Sequence, residues 1–223
     1  MKHLSRRKML GIIGAAPLAG GVLTQVSGQD VNGSAISSRE AIRQRYFPNL
    51  VLTTQEGKKV RFYDDLLKDK IVLINMMYAK CEGICVPVTM NLKKVQQLLG
   101  DRVGRDIFIY SITLKPEEDT PMMLKHYAEM HHVGPGWVFL TGTPQDIELL
   151  RRKLGFTNPD PKLDADKTQH IGMVRYGNEA LQLWAACPGM ANPSWLVESV
   201  SWVDWPKTGR PLTTQPLGKG ERK

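Results

Sequence analysis

Residues 71–85 read IVLINMMYAKCEGIC, a largely apolar run that leads directly into two cysteines spaced four residues apart. A continuous apolar run of strand length is typical of a central strand that is covered on both faces. Pro87 then opens a stretch to residue 99 in which apolar residues recur at helical spacing, with the proline in the first turn. The sequence therefore predicts a buried strand, a short cysteine-bearing loop and a helix, in that order.

The same alternation of strands and helices extends along the chain on both sides of this segment. Further strands are predicted at 107–114 and 137–140, in a first hairpin at 47–53 and 59–63, and in a second hairpin at 171–176 and 181–186 whose turn is Gly177-Asn178. Further helices are predicted at 120–131, 143–154 and 192–203, and a polar loop at 159–169. Trp195 and Trp202 are expected to pack the last helix onto the sheet. This order predicts an α/β, thioredoxin-like domain with an added N-terminal β-hairpin.

The chain has 223 residues and a formal net charge of +8, and this charge is confined to its two ends. Residues 1–28 and residues 207–223 each carry a net charge of +4, so the sequence between them is neutral. A nucleic-acid-binding protein usually carries its basic residues as a stripe or patch on the folded domain. The charge distribution therefore predicts no nucleic-acid partner.

The N-terminus has the features of an export signal. Arg6 and Arg7 precede an apolar run from residue 9 to residue 23, a pattern typical of the twin-arginine route. The run is shorter than the roughly 20 apolar residues that a spanning helix needs. We predict a signal at 1–28, a linker at 29–45, the folded domain at 46–205 and a disordered basic tail at 206–223. The protein is then periplasmic, or anchored at the outer face of the cytoplasmic membrane through an uncleaved signal.

Three cysteines occur, and two of them are placed for chemistry. Cys81 and Cys85 follow the buried strand at the start of a helix, where α/β proteins commonly bind ligands. The positive end of the helix dipole favours a thiolate, which predicts a lowered pKa for Cys85 and for Cys81. Their i, i+4 spacing suits a shared metal ion, a redox-active pair or a structural disulfide, and all three remain open. Cys187 is expected to be a small buried or semi-exposed side chain instead of a resolving thiol.

A histidine would complete a set of ligands suited to copper. Two thiolates and one imidazole are soft donors that favour copper, especially Cu(I), over a hard cation. His126, His131 and His132 lie in or just after a predicted helix and are expected at the surface. His170 stands at the start of a predicted strand after a polar loop, where it is either an ordinary loop residue or a ligand.

From about residue 47 to residue 203 the chain resembles the Sco/SenC proteins. The resemblance is carried by several ordered pieces: Gly57-Lys58, the strand that runs into Tyr78 and Cys81-x-x-x-Cys85, 111–114 (SITL), 116–121 (PEEDTP), 140–143 (LTGT), and His170 ahead of a strand. It implies a thioredoxin-like fold with Cys81, Cys85 and His170 as copper ligands. It also implies a role in delivering copper to the dinuclear copper centre of cytochrome c oxidase, or in keeping the cysteines of that centre reduced, during its assembly.

The sequence departs from the family pattern beside the expected site. Val86 stands where the family usually has proline directly after the second cysteine, and Lys115 stands where an acidic residue is usual. Gln169 and Ile171 flank His170 in place of the usual acidic and hydroxyl residues.

Two other functions use the same cysteine pair. An exported thiol–disulfide oxidoreductase would need Cys81 and Cys85 but not His170. A redox or copper sensor would bind a partner in only one of its states. The predicted partner is the cytochrome c oxidase subunit that carries the dinuclear copper site, or another exported copper protein, and the chain is expected to be a monomer.

Overall fold

The computed structural model describes residues 36–167 and 172–204. The predicted export signal, the first part of the predicted linker and the predicted basic tail lie outside these residues. The strands are β1 (Val51–Thr54), β2 (Lys59–Arg61), β3 (Ile71–Met77), β4 (Ile107–Thr113), β5 (Trp137–Thr141), β6 (Met173–Asn178) and β7 (Leu183–Pro188). The α-helices are α1 (Ser38–Tyr46), α2 (Cys85–Leu99), α3 (Pro121–Met130), α4 (Pro144–Lys153), α5 (Pro161–Ala165) and α6 (Pro193–Asp204).

All seven strands form one mixed sheet in the order β2-β1-β5-β4-β3-β6-β7. Strands β3, β4 and β5 run parallel, whereas β6 pairs antiparallel to β3 and β1 pairs antiparallel to β5. The predicted N-terminal hairpin is present as β1 and β2 at one edge of the sheet. The α/β class and the added hairpin are therefore confirmed.

Strand β3 is the centre of the core. Each of its seven residues is buried. Met76 and Met77 are 3% and 0% exposed, so both methionines pack in the core. The partner strands β4 and β6 cover both of its edges through continuous registers that begin at Ile71. The prediction of a central strand that ends just before the cysteines is confirmed.

Helix α1 corrects the prediction of a linker at 29–45. Ser37 caps the helix by accepting a hydrogen bond from the Glu40 amide, yet none of the residues of α1 is buried. The helix is joined to the domain through Arg39, whose guanidinium donates to the carboxylate of Glu179, and through Ile42, which packs against the core. Local composition does not reveal a contact between residues 140 positions apart, so the polar sequence by itself predicts a linker.

Other differences from the predicted elements are local. A six-residue π-helix, Phe62–Leu67, begins where the second strand of the first hairpin was expected to end. Helix α5 lies within the predicted polar loop, and Arg151 holds it through an ion pair with Asp164 at 2.6 Å. The turn between β6 and β7 lies at residues 179–182, so Gly177-Asn178 belongs to β6 instead of the turn.

Helix α6 turns its two tryptophans outward, so the prediction that they face the sheet is wrong. Trp195 and Trp202 are 42% and 58% exposed. The buried face of the helix is instead formed by Leu196, Val200 and Val203, which recur at helical spacing. The helix has more apolar residues than one face can bury, and the smaller aliphatic side chains occupy the contact. Among the described residues, no helix is long and apolar enough to cross a membrane.

The carboxylate of Glu179 is the buried anchor for α1. This side chain is 1% exposed and accepts hydrogen bonds from the Tyr63 hydroxyl at 2.7 Å, the Asp69 amide at 2.9 Å and Arg39 Nε at 2.8 Å. Burial raises the pKa of Glu179, but the hydrogen bonds from Arg39, Asp69 and Tyr63 outweigh burial and lower it. The carboxylate is therefore charged in the folded protein at neutral pH.

We expect Glu179→Ala to lower the free energy of unfolding at pH 7 by about 3 kcal/mol, because Tyr63 and Arg39 lose a buried charged partner. Since the pKa of Glu179 is lowered on folding, its contribution is present above the unfolded pKa and is lost as the pH falls below about 4. Urea unfolding should thus show that the difference in free energy of unfolding between Glu179→Ala and wild type is smaller at pH 3 than at pH 7. Glu56→Ala, at an exposed position, is the control. Equal stability of Glu179→Ala and wild type at pH 7 would contradict this assignment.

Candidate functional site

The two cysteines predicted to act together lie in residues 78–85, which we call the cysteine loop. The loop begins where β3 ends, and its first turn closes with the Cys81 amide donating to the Tyr78 carbonyl at 3.3 Å. Helix α2 starts at Cys85 itself, so this side chain lies in the first turn of the helix. The strand, the loop and the helix thus occur in the predicted order and bring both sulfurs to the carboxyl end of the central strand.

Both cysteines are buried free thiols, and their side chains hydrogen-bond to each other. Cys81 is 7% exposed and Cys85 is 2% exposed. The Gly83 amide donates to Cys81 Sγ at 3.4 Å, so the loop backbone also turns toward this sulfur. Two reduced sulfurs in contact can bind one soft metal ion or form a disulfide after oxidation.

The surroundings shift the pKa values of the two thiols in opposite directions. Burial opposes ionisation of Cys81, but hydrogen bonds from the Cys85 thiol, the amides of Cys85 and Gly83 and the Tyr78 hydroxyl outweigh it and lower its pKa. Burial, and then the hydrogen bond to Cys81, raise the pKa of Cys85. The predicted lowering is confirmed for Cys81 and wrong for Cys85, since desolvation outweighs the modest effect of a helix dipole.

A cation adjoins the loop on the side of Tyr78. Burial, followed by the hydrogen bond to Cys81, raises the pKa of the Tyr78 phenol, so the hydroxyl keeps its proton as a donor. Lys115 Nζ lies 4.5 Å from the centroid of the Tyr78 ring and 3.3 Å from a carboxylate oxygen of Glu118. Lys115 is the residue that stands where the Sco/SenC pattern has an acid, so this chain presents positive charge beside Tyr78.

Asp119 is a residue of the site that the sequence pattern does not predict. Its side chain is 2% exposed, and its carboxylate oxygens accept from the Ala79 amide at 3.1 and 3.2 Å and from the Thr113 hydroxyl at 2.5 Å. Burial raises its pKa against these hydrogen bonds. The carboxylate thereby fixes the start of the cysteine loop against the end of β4. The PEEDTP segment at 116–121 contained this signal, but only the folded chain reveals its partner 40 residues earlier.

His170 lies outside the described residues, which stop at Lys167 and resume at Gly172. Gly172 lies against the cysteine loop, because a Cβ added to it would come within 2.8 Å of Ile84 Cγ1. Of the other histidines, His126 and His132 are exposed as predicted, whereas His131 is half-buried with its ring 4.3 Å from the ring of Tyr127. Cys187 is buried, as predicted. Within 36–167 and 172–204, no three His, Cys, Asp or Glu side chains form a group able to hold a metal ion.

The sequence matches the model of the SCO1/SenC family over residues 39–202, which is most of the chain. The chain belongs to the SCO1/SenC family. The SCO1 protein homolog of Bacillus subtilis (strain 168) is 34% identical over 92 residues, which cover 41% of this chain and 46% of that protein. The match to this curated relative thus spans slightly less than half of its length.

Solved structures of Sco proteins share this fold. Bradyrhizobium japonicum ScoI with copper bound is 23% identical, with a TM-score of 0.56 over 69% of this chain and 96% of that one. BsSco, a member of the Sco family of cytochrome c oxidase assembly proteins in which a disulfide switch was identified, is 25% identical. Its TM-score is 0.55, over 68% of this SCO1/SenC chain and 88% of that chain. The thioredoxin-like fold predicted from the order of elements is confirmed.

The difference in acidity predicts which cysteine reacts first with an alkylating reagent. In the reduced protein at pH 8, a limiting amount of iodoacetamide should modify Cys81 before Cys85, because the thiolate is the reacting species. Cys187 is an internal control, since burial raises its pKa to about 11 and it should react only after unfolding. Peptide mass mapping over time measures all three rates. Faster modification of Cys85 than of Cys81 would contradict the assignment of the two thiols.

Proposed function

We propose that this SCO1/SenC protein carries one copper ion on Cys81, Cys85 and His170 and delivers it during assembly of the dinuclear copper centre of cytochrome c oxidase. The observation that supports the proposal most strongly is the pair of reduced, hydrogen-bonded thiols at the end of β3. A cargo site must release its ion intact, so the protein changes no covalent bond when it acts as a carrier.

The donor set of the cysteine loop fits copper. Two sulfurs in contact are soft ligands, and soft thiolates favour Cu(I) over the hard cations that oxygen ligands hold. The buried carboxylate of Asp119, which adjoins the loop, already accepts from the Ala79 amide and the Thr113 hydroxyl. The described residues thus supply a two-sulfur site without a hard oxygen ligand committed to it.

The third ligand is proposed to be His170. The described residues offer no His, Asp or Glu that joins the two cysteines in a group of three. Gly172, which follows His170 by two residues, contacts Ile84 next to Cys85. Because two residues of extended chain span at most about 7 Å, the position of Gly172 beside Ile84 supports His170 as the source of the third ligand. An imidazole donor there would complete a low-coordinate S₂N set.

The place of action and the recipient are proposed from the sequence and the family together. The paired arginines and the apolar run of residues 1–28 support export by the twin-arginine route, to the periplasm or the outer face of the cytoplasmic membrane. BsSco belongs to a family of cytochrome c oxidase assembly proteins, which supports an oxidase subunit as the recipient. Another exported copper protein is the alternative recipient of the ion.

The decisive experiment is a Cu(I) titration of the reduced protein with metal analysis. Wild type should bind one copper per chain, Cys81→Ala and Cys85→Ala none, and His170→Ala should bind at least about tenfold more weakly. His126→Ala is the matched control, since His126 is exposed on α3, and it should bind like wild type. Full-strength binding by His170→Ala would refute the third ligand, and full-strength binding by both cysteine variants would refute the site.

Thiol–disulfide exchange is the second candidate function, and it is supported by the lowered pKa of Cys81 beside the raised pKa of Cys85. A low-pKa Cys81 would attack a disulfide, and Cys85 would then displace the partner from the mixed disulfide. Two electrons pass from the dithiol to the substrate disulfide, which leaves as a dithiol while the Cys81–Cys85 disulfide forms. His170→Ala separates the two functions, because it should lose copper affinity but keep its rate of exchange with a model disulfide.

A further inference from the structure

A polar cleft of about 400 Å³, which the copper proposal does not use, lies at the carboxyl end of β5. The cleft is lined by side chains of β1, β2 and β5 and by the starts of α3 and α4. Two segments that carry the family resemblance, 116–121 and 140–143, form much of its wall. Neither segment contributes a ligand to the proposed copper site, so their arrangement calls for a separate explanation.

Three polar side chains form a row across the floor of the cleft. Lys59 on β2 pairs with Thr53 on β1, and Thr53 pairs with Thr141 on β5. Directly paired residues of antiparallel strands project on the same face of the sheet. Lys59 Nζ donates to Thr53 Oγ1 at 2.8 Å, which holds the ammonium group over the row.

The hydroxyl of Thr141 has no hydrogen-bond partner among the described residues, although the residue is only 6% exposed. A buried hydroxyl is almost always hydrogen-bonded, because leaving it unpaired costs free energy. Thr141 lines the cleft, so a ligand bound there can supply the missing partner.

Two helices begin at the same cleft. Helices α3 and α4 have ten residues each, and their capping residues Thr120 and Thr143 both line it. The amino end of a helix carries partial positive charge and amides without partners inside the helix, which favours an anion. The first residue of each helix is a proline without an amide, and each cap hydroxyl accepts from the amide of the third residue, which leaves the amides of Met122 and Gln145 in the two first turns. The Thr143 hydroxyl also donates to the Asp146 carboxylate at 2.8 Å.

Lys59 is the one basic side chain among the described residues that line the cleft. Within the described part of the chain, Lys59 makes no ion pair, so its charge is available to a ligand. The one carboxylate among the described lining residues belongs to Asp119, and its oxygens accept from Ala79 and Thr113 of the adjoining strand ends.

We propose that this cleft binds a small molecule bearing an oxyanion, a phosphate, sulfate or carboxylate group. The oxyanion lies between Lys59 and the amino ends of α3 and α4 and accepts a hydrogen bond from the Thr141 hydroxyl. A volume of about 400 Å³ is within the range of small-molecule sites, so the natural ligand has room for more than the anion itself. The proposal does not depend on copper binding.

Titration calorimetry with inorganic phosphate, sulfate and acetate tests the site in the reduced, metal-free protein. Saturable binding of phosphate or sulfate indicates a tetrahedral anion, and binding of acetate alone indicates a carboxylate. Thr141→Val, which replaces a hydroxyl by a methyl group of similar size, should weaken binding about tenfold, as should Lys59→Ala. Lys58→Ala, a neighbouring exposed lysine outside the lining, should bind like wild type.

Two further measurements keep the test decisive. Without anion, Thr141→Val should unfold at the same temperature as wild type or higher, since it removes an unpaired buried hydroxyl. With added phosphate, its unfolding temperature should rise less than that of wild type. Both cleft variants should retain full Cu(I) binding, which separates this site from the cysteine loop. Absence of saturable binding by all three anions, or equal binding by wild type and both variants, would overturn the proposal.

Discussion

The junction between β3 and α2 is the constraint on which the site depends. Strand β3 is buried along its whole length, and its last residue, Met77, is held by its pairing with Thr113 of β4. Helix α2 begins at Cys85, which places one sulfur on a rigid element. The Asp119 carboxylate ties the intervening loop to β4, because it accepts from the Ala79 amide of the loop and from the Thr113 hydroxyl at the end of β4. The packed core and the buried hydrogen bonds of Asp119 therefore hold the two sulfurs in position.

The same junction makes the two thiols chemically unequal. Cys85 is more deeply buried, and burial raises its pKa. Cys81 accepts hydrogen bonds from donors of the loop, and these lower its pKa. A carrier of a soft ion and a dithiol reductant would both use this asymmetry. What distinguishes the two is whether a nitrogen ligand from the segment before Gly172 completes the set, which is why His170 has the central place in the proposed function.

Sequence reasoning was most successful where local pattern decides structure. The apolar run before Tyr78 and the helical spacing after Pro87 were enough to predict β3, the cysteine loop and α2. It failed where distant contacts decide: α1 depends on Glu179, far along the chain, and the pKa of Cys85 depends on burial that a dipole argument ignores. The role of Asp119 was hidden for the same reason, since its hydrogen-bond partners belong to other elements.

X-ray absorption spectroscopy at the copper edge of the Cu(I)-loaded protein tests the central claim most directly, because it counts the ligand atoms of each element. Wild type should show two sulfur ligands and one nitrogen ligand of imidazole type, and His170→Ala should lose the imidazole signal. A spectrum with two sulfurs and an imidazole signal that persists in His170→Ala, or with fewer than two sulfurs, would contradict that claim.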